Sequence, residues 1–290
     1  MSRVGWLDRI VKGYMHPGVA AIGLLTRIPI RLQVAYDEQL FRRSVVYYPL
    51  AGLIVGLIVA CCGWGLSSVL PTGIAAVLTV AIWIYVTGGL HMDGLMDTAD
   101  GLFSNRSRER MLDIMRDSRV GAMGVVAGVL QIAIKIALMV ELFNHADGVM
   151  AGAIICAAIG SRAWMAAAIA WWPYARGEAS GMGSPYQGVQ TRHAVASLAA
   201  SSVLQLAVML VLVQASVMSL AAALLASAGF LFIIMALGTW LASRIARKLG
   251  GLTGDTYGAM CELVETSLLL AAVVGIGVVG AAVDVGVGRM

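Results

Sequence analysis

Long apolar runs dominate this sequence and leave few folds open to it. Hydrophobic residues make up 60% of the 290 residues, and charged residues make up only 12%. An α-helix crosses the hydrocarbon core of a bilayer in about 20 apolar residues, and several runs reach that length. The sequence therefore predicts an all-α fold, a polytopic integral membrane helical bundle that forms a single membrane-embedded domain over residues 1–290.

The apolar runs predict about seven transmembrane helices, with a range of six to eight. Residues 194–243 are nearly uncharged and long enough for two spans, with a tight turn near residues 214–219. The other spans are expected at about residues 45–66, 73–90, 120–142, 149–172 and 259–283.

Two segments before the first span are expected to lie at the membrane surface. Residues 1–16 look amphipathic and interfacial. Residues 17–30 are apolar, but the run is short and Arg27 and Pro29 interrupt it. This pattern predicts a re-entrant or interfacial helix better than a full span.

Among the segments that connect the predicted spans, lysine and arginine occur only in alternate ones. They occur before the first predicted span and after the second, fourth and sixth, whereas residues 67–72, 143–148 and 214–219 contain none. Because basic segments stay in the cytoplasm, the N-terminus is expected there and the C-terminus outside. The net charge of +4 is then a topology signal, and we expect no nucleic-acid partner.

Three aspartates lie within eight residues just after the second predicted span. A helix turns about 100° per residue, so Asp93, Asp97 and Asp100 fall within an arc of roughly 60°, with His91 on the opposite side. We expect this helix to continue straight out of the span. Clustered carboxylates repel one another, and a hard divalent cation such as Mg²⁺ would offset the repulsion. The alternative is a solvated helix end.

Other polar groups gather on the same predicted cytoplasmic face. They are Asp117 with Arg119, the loop that carries Arg176, and the segment around Asp255. Acidic ligands beside arginines suit phosphoryl transfer, because a metal neutralises phosphate charge and arginines hold the remaining oxygens. The structural alternatives are an ion pair of Asp117 within its own loop helix and an ordinary turn at Asp255.

Two basic residues, Lys135 and Arg162, lie inside predicted spans. A charge near the middle of the membrane costs roughly 2.5–3.5 kcal/mol on the insertion scale. Each residue could form a buried pair with a carboxylate of another helix, or line a polar cavity for an anionic substrate.

Several motifs, in order along nearly the whole chain, resemble the cobalamin synthase family, the adenosylcobinamide-GDP ribazoletransferases. The block with the three aspartates and the Asp-Ser-Arg that follows it are the most specific; Arg116 stands where lysine is more often expected. The motifs are Leu25-Thr26-Arg27-Ile28-Pro29, Tyr48-Pro49-Leu50 with Gly52 and Gly56, Gly88 to Gly101, Met115-Arg116-Asp117-Ser118-Arg119-Val120-Gly121, Pro173-Tyr174-Ala175-Arg176, and Gly251 to Ala259.

This resemblance implies a Mg²⁺-dependent enzyme at the cytoplasmic face of the inner membrane. Such an enzyme joins α-ribazole, or its 5′-phosphate, to adenosylcobinamide-GDP and releases GMP. A ribose hydroxyl attacks the phosphate attached to cobinamide, and GMP leaves. The expected partners are these two substrates and the lipid bilayer, with a homo-oligomer as an open possibility.

The resemblance and the spacing together suggest roles for ten residues. The outer aspartates of the cluster lie about 10 Å apart along a helix axis, so one ion needs ligands from elsewhere. The alternatives kept open are another membrane enzyme that uses a diphosphate, similar to CDP-alcohol phosphotransferases or prenyltransferases, and a transporter. The expected metal ligands are Asp93, Asp97 and Asp100; Asp117 and Asp255 are candidates for further ligands or the general base; Arg27, His91, Arg119, Arg162 and Arg176 are expected to bind substrate.

Overall fold

The computed structural model describes residues 13, 15–30, 37–145, 147–176 and 188–287. Within these residues the fold is all helical, without a named strand. Most of the predicted interfacial segment 1–16 lies outside the described residues. The helices are α1 (His16–Leu25), α2 (Glu38–Ser44), α3 (Tyr48–Ser67), α4 (Thr72–Thr87), α5 (Leu90–Phe103), α6 (Arg108–Ile114), α7 (Ala122–Phe143), α8 (Asp147–Trp171), α9 (Thr191–Gln214), α10 (Leu220–Leu249) and α11 (Gly254–Val287).

Six helical segments among the described residues are long and apolar enough to cross a membrane, and a bent pair of helices raises the number to seven. This confirms the predicted polytopic bundle, since six or seven spans lie within the expected range of six to eight. Helix α1 has only 10 residues, too few to cross a bilayer. The six segments are Glu38–Ser67, Ala122–Phe143, Gly148–Trp171, Thr191–Gln214, Leu220–Leu249 and Gly254–Gly277.

Helix α8 forms the centre of the bundle. In the apolar stretch of α8, 94% of the residues are buried, compared with 17–50% in the apolar stretches of the other five spans. Small residues allow this burial: a Cβ atom on Gly52 of α3 would collide with the Ala158 carbonyl, and one on Gly56 would lie 2.7 Å from the Cα atom of Ile155. Glycines four residues apart let two membrane helices approach at backbone distance.

The helix of aspartates does not continue straight out of the preceding helix, as the sequence had predicted. Helix α4 ends at Gly88 and Gly89, which have φ angles of 65° and 70°. Their amides donate to the carbonyls of Tyr85 and Ile84, so two left-handed residues terminate the helix. Helix α5 leaves α4 at an angle of 90°, and we treat it as lying outside the spanning helices.

Both basic residues inside the spans are paired with glutamates of α11. The Nζ atom of Lys135 lies 2.6 Å from Glu262 Oε2 and 2.5 Å from Glu265 Oε1, and the Arg162 guanidinium binds the other oxygen of Glu265. Lys135 also lies 5.0 Å from the ring centroid of Trp83. This buried charge cluster joins α7, α8 and α11. It favours the buried-pair interpretation for both residues. Because the charge of Arg162 is already neutralised in the bundle core, this pairing counts against the expected contact of Arg162 with substrate.

Candidate active site

Asp93 and Asp97 line a pocket of about 440 Å³ at one end of the bundle. Four separate segments of the chain form this pocket, which we call the aspartate pocket. All four belong to the segments that the sequence placed on one face of the membrane. The lining residues are Asp93, Asp97, Met115, Arg116, Asp117, Ser118, Val120, Arg176, Gly254 and Asp255.

Asp93 and Asp97 are available to bind a ligand. Asp93 is exposed and Asp97 is half-buried, and neither accepts a hydrogen bond or forms an ion pair with the part of the chain that the structure describes. Partial burial, together with the negative charges of Asp93 and Asp255, raises the pKa of Asp97 to about 7. A carboxyl group with this pKa readily exchanges its proton at neutral pH.

The third aspartate of the cluster has a different role. Both oxygens of Asp100 accept backbone hydrogen bonds at 2.7 Å, from the N–H groups of Gly121 and Gly124. These amides lie at the start of α7, where no carbonyl of the helix is placed to accept a hydrogen bond from them. Asp100 therefore caps α7 from a neighbouring helix, and its oxygens are not free for a metal in the way the sequence had suggested.

Asp255 is held in the first turn of α11. Thr253 and Thr256 exchange hydrogen bonds between side chain and backbone at the start of that helix, an arrangement that fixes a helix N-terminus. One oxygen of Asp255, Oδ2, accepts hydrogen bonds from Arg176 Nη2 at 2.8 Å and from Thr253 Oγ1 at 3.3 Å. Only Oδ2 is used in these contacts. Arg176 therefore orients Asp255 and brings its own positive charge into the pocket.

A short backbone bridge brings Arg176 to this position. The Ala175 amide donates to the Leu252 carbonyl, and the Leu252 amide donates to the Pro173 carbonyl, both at 2.8 Å. Gly251 permits this approach, since a Cβ atom there would lie 2.5 Å from the Pro173 carbonyl oxygen. The segment around Asp255 is thus a helix start docked on a loop, rather than an isolated turn.

Asp117 and Arg119 form an exposed pair at the edge of the pocket. Arg119 Nη2 lies 2.6 Å from Asp117 Oδ2, and the Arg119 side chain is 88% exposed. This guanidinium lowers the pKa of Asp117 to about 2. A carboxylate with so low a pKa is a weak proton acceptor at neutral pH, which counts against Asp117 as the general base.

His91 lies inside the bundle and lines neither of the two pockets described for this end of the protein. It is 1% exposed, and its Nδ1 atom lies 3.6 Å from Cys261 Sγ. A Cβ atom on Gly258 would lie 3.1 Å from the His91 Cα atom, so this part of α5 packs directly on α11. The expected substrate contact of His91 stays a prediction.

A second pocket, of about 550 Å³, lies on the other side of Asp93. We call it the Arg27 pocket. The Arg27 side chain lies across Gly88, where a Cβ atom would be 2.8 Å from Arg27 Cγ, and the Arg27 amide donates to the Val86 carbonyl at 2.8 Å. Its lining includes Leu24, Arg27, Ile84, Met92, Asp93, Met96 and the turn formed by Gly88 and Gly89.

The donor atoms of the aspartate pocket fit a divalent cation that arrives with a phosphorylated substrate. No group of three His, Cys, Asp or Glu side chains among the described residues forms a metal site by itself. Mg²⁺, however, is usually held by one or two carboxylates together with water and substrate phosphates. The free carboxylates of Asp93 and Asp97 meet that requirement without Asp100.

Sequence reasoning missed three features of the site. No pattern of neighbouring residues predicts that Asp100 caps α7, because the amides that donate to it lie 21 and 24 residues away. Glu262 and Glu265 were not recognised as the partners of Lys135 and Arg162, although a carboxylate of another helix was the expected kind of partner. The bend before α5 could have been anticipated, since two adjacent glycines after an apolar helix are a strong signal for helix termination.

The fold and the site together define a class of protein, a multi-pass membrane transferase. The unpaired carboxylates of Asp93 and Asp97, in one pocket with Arg176, suit a phosphorylated substrate. A model of the cobalamin-5-phosphate synthase family matches residues 18–273. The chain belongs to this family and is a transferase of cobalamin biosynthesis, which confirms the resemblance and removes the transporter alternative.

Relatives with curated names cover most of the chain. An adenosylcobinamide-GDP ribazoletransferase of Brevibacillus brevis is 39% identical over 260 residues, which are 88% of this chain and 97% of the relative. The enzyme of the same name from Desulforamulus reducens is 40% identical over 257 residues, 88% of this chain and 95% of that protein. No solved structure matches the chain.

Proposed function

We propose that this transferase moves the adenosylcobinamide-phosphate group from adenosylcobinamide-GDP to α-ribazole or its 5′-phosphate, with release of GMP. A ribose hydroxyl oxygen forms a bond to the phosphorus next to cobinamide, and the bond from that phosphorus to the GMP oxygen breaks. The observation that carries the proposal is the aspartate pocket, where the unpaired carboxylates of Asp93 and Asp97 lie in the same pocket as the guanidinium of Arg176. The names of the relatives supply the substrates.

Asp93 and Asp97 are the residues that would hold Mg²⁺. When bound there, the cation would neutralise charge on the diphosphate. Arg176 is placed to hold a phosphate oxygen, because its guanidinium lies in the same pocket and is already oriented by Asp255. Such charge-assisted hydrogen bonds are strong and directional.

The proton of the attacking hydroxyl needs an acceptor, and Asp255 is better suited to this role than Asp117. Asp255 uses Oδ2 for Arg176 and Thr253, and its other oxygen, Oδ1, can accept the proton. Asp117 is committed through both oxygens to Arg119. A general base must lie within hydrogen-bond reach of the proton it takes, and Asp255 lines the pocket that would hold the diphosphate.

We infer that the protein lies in the inner membrane with the aspartate pocket facing the cytoplasm. The pocket is formed by segments that border the arginine-bearing loops, and such loops stay on the cytoplasmic side. Single-cysteine variants in a cysteine-free background test this in intact cells. A membrane-impermeant thiol reagent should label Ser68→Cys and spare Glu109→Cys; the reverse pattern would overturn the orientation.

The reaction is tested with purified protein, adenosylcobinamide-GDP, α-ribazole and Mg²⁺, with GMP release as the readout. We expect release that depends on all three additions. Asp97→Ala should abolish it while the protein still unfolds with a normal thermal transition. The matched control is Asp113→Ala, an exposed aspartate outside both pockets, which should retain turnover. Turnover by the Asp97 variant would remove that residue from the metal site.

A further inference from the structure

Two pockets meet at one carboxylate, Asp93, which lines both of them. The aspartate pocket on one side carries most of the charge. The Arg27 pocket on the other side has one cation, Arg27, among the described residues that line it, and its other side chains are apolar except for Asp93, Thr26 and Thr87. An enzyme that joins two substrates needs two binding regions that meet where the bond forms. Asp93, the shared wall of the two pockets, lies between them and marks where such regions would meet.

We propose that the Arg27 pocket binds the nucleoside acceptor, with the base against the apolar side chains and a 5′-phosphate on the Arg27 guanidinium. This assignment rests on the proposed function and adds which pocket takes which substrate. The donor diphosphate is then left to the aspartate pocket. The ribose lies between the phosphate on Arg27 and the shared wall, so its attacking hydroxyl faces the diphosphate.

The side chains of the Arg27 pocket fit a benzimidazole better than a guanine. The Thr26 hydroxyl donates to the Ile22 carbonyl of the preceding helix, and the Thr87 hydroxyl donates to the Trp83 carbonyl of its own helix. Among the described residues that line the pocket, Arg27 and Asp93 are therefore the polar side chains left to form hydrogen bonds with the edge of a base. Guanine needs several hydrogen-bonding partners, whereas the dimethylbenzimidazole of α-ribazole presents methyl groups and carries no exocyclic donor.

The apolar side chains and the volume of the Arg27 pocket suit such a ring. Met92 and Met96 contribute flexible thioether side chains, which pack well against aromatic rings. Leu24 and Ile84 complete the wall. A volume of about 550 Å³ lies in the usual range for a small-molecule site and is too small for a corrinoid.

Arg27 is free to bind a phosphate. It is exposed, and no described carboxylate forms an ion pair with it. Its position is held by the hydrogen bond from its amide to the Val86 carbonyl and by the close approach of its side chain to Gly88. An arginine that is held in place and lacks a carboxylate partner offers several aligned N–H donors to phosphate oxygens.

The test compares two acceptors, α-ribazole 5′-phosphate and α-ribazole, in Arg27→Ala, Arg27→Lys and the unsubstituted protein. We expect Arg27→Ala to raise KM for the phosphorylated acceptor about tenfold or more, since a hydrogen bond to a charged group is lost. The ratio of the two acceptor KM values should change by the same factor, and Arg27→Lys should recover part of it. Leu24→Ala should raise both acceptor KM values together.

The control variant is Arg106→Ala, an exposed arginine that lines neither pocket and should leave the KM ratio unchanged. A rise in KM for adenosylcobinamide-GDP in Arg27→Ala would assign Arg27 to the donor and overturn the proposal. An equal rise for both acceptors would also overturn it. Each variant is checked for a normal thermal unfolding transition.

A binding measurement separates this proposal from the proposed function. Isothermal titration calorimetry of the detergent-solubilised protein with α-ribazole 5′-phosphate, without donor, should show binding that Arg27→Ala weakens about tenfold. Equal binding by the two proteins would overturn the acceptor site. Absence of GMP release in the full reaction, with this binding intact, would instead contradict the proposed function.

Discussion

Asp100 and Gly121 are joined by a hydrogen bond of 2.7 Å from the Gly121 amide to Asp100 Oδ2. With the similar bond from Gly124, it anchors the start of α7 to α5. The close fit extends to the glycines, since a Cβ atom on Gly124 would lie 2.9 Å from the Met96 carbonyl oxygen. One carboxylate of the aspartate cluster is therefore a structural link between two helices.

Asp100→Ala is expected to destabilise the protein. Removal of a capping carboxylate typically lowers the free energy of unfolding by about 1 kcal/mol. The two amides at the start of α7 would also lose their hydrogen-bond acceptor, which adds to that cost. Thermal unfolding in detergent should show a lower midpoint, whereas the Mg²⁺ concentration for half-maximal GMP release should change little. Asp100→Asn keeps one acceptor oxygen and should fall between the two proteins. A large loss of Mg²⁺ affinity with unchanged stability would identify Asp100 as a metal ligand.

The affinity of the aspartate pocket for Mg²⁺ is expected to rise with pH. The pKa of Asp97 is raised from 3.8 to about 7 in the absence of metal, and a metal ligand must lose its proton to bind. The Mg²⁺ concentration for half-maximal activity should therefore be higher at pH 6 than at pH 8. Equal values at the two pH values would contradict a role for Asp97 in metal binding.

The same carboxyl group makes the stability of the metal-free protein depend on pH. Between pH 3.8 and about 7 Asp97 keeps its proton in the folded state but has lost it in the unfolded state. The stabilisation that protonated Asp97 gives to the folded state is therefore complete below pH 3.8 and is lost as the pH rises through about 7. Asp97→Asn should remove this decrease from thermal unfolding curves recorded at pH 6 and pH 8. Parallel curves for the two proteins would argue against the shift.

Gly94→Ala is expected to impair turnover because it separates α5 from α11. A Cβ atom on Gly94 would lie 2.6 Å from the Asp255 carbonyl oxygen and 3.1 Å from the Asp255 Cα atom. Both are backbone atoms, so one helix must move, and a displacement of about 1 Å at a reacting group can cost about 100-fold in rate. We expect kcat to fall at least about tenfold, measured by GMP release.

The matched control is Gly65→Ala in α3, where a Cβ atom would meet nothing within 4 Å. This change should leave turnover intact, and it should not lower stability, since alanine favours a helix over glycine by about 1 kcal/mol. Full turnover by the Gly94 variant would show that the contact between α5 and Asp255 does not position the site.

Glu265→Ala is expected to cause a large loss of stability. The change leaves two buried cations, Lys135 and Arg162, with Glu262 as the remaining carboxylate of the cluster. Removal of one partner from a buried ion pair typically costs about 3–5 kcal/mol. The double variant Arg162→Met with Glu265→Gln removes one charge of each sign and should recover much of the loss. A single variant as stable as the unsubstituted protein would contradict a structural role for the cluster.

The architecture and part of the candidate site follow from local properties of the sequence. Hydropathy predicted the membrane bundle because each spanning helix must bury its own backbone hydrogen bonds in an apolar segment. Helical periodicity placed Asp93 and Asp97 on one face, and both line the same pocket, since side chains four residues apart lie on the same side of a helix. These inferences need only neighbouring residues.

The direction of Asp100, the partner of Arg162 and the contact between Arg176 and Asp255 were decided by the tertiary structure. Arg176 and Asp255 are 79 residues apart, and Arg162 lies 103 residues from Glu265. A buried charge needs a residue of opposite charge, and a backbone amide at the start of a helix needs a hydrogen-bond acceptor. Which residue supplies it depends on which helices pack together. That packing is set by small residues such as Gly52 and Gly94, whose effect appears only when two helices meet.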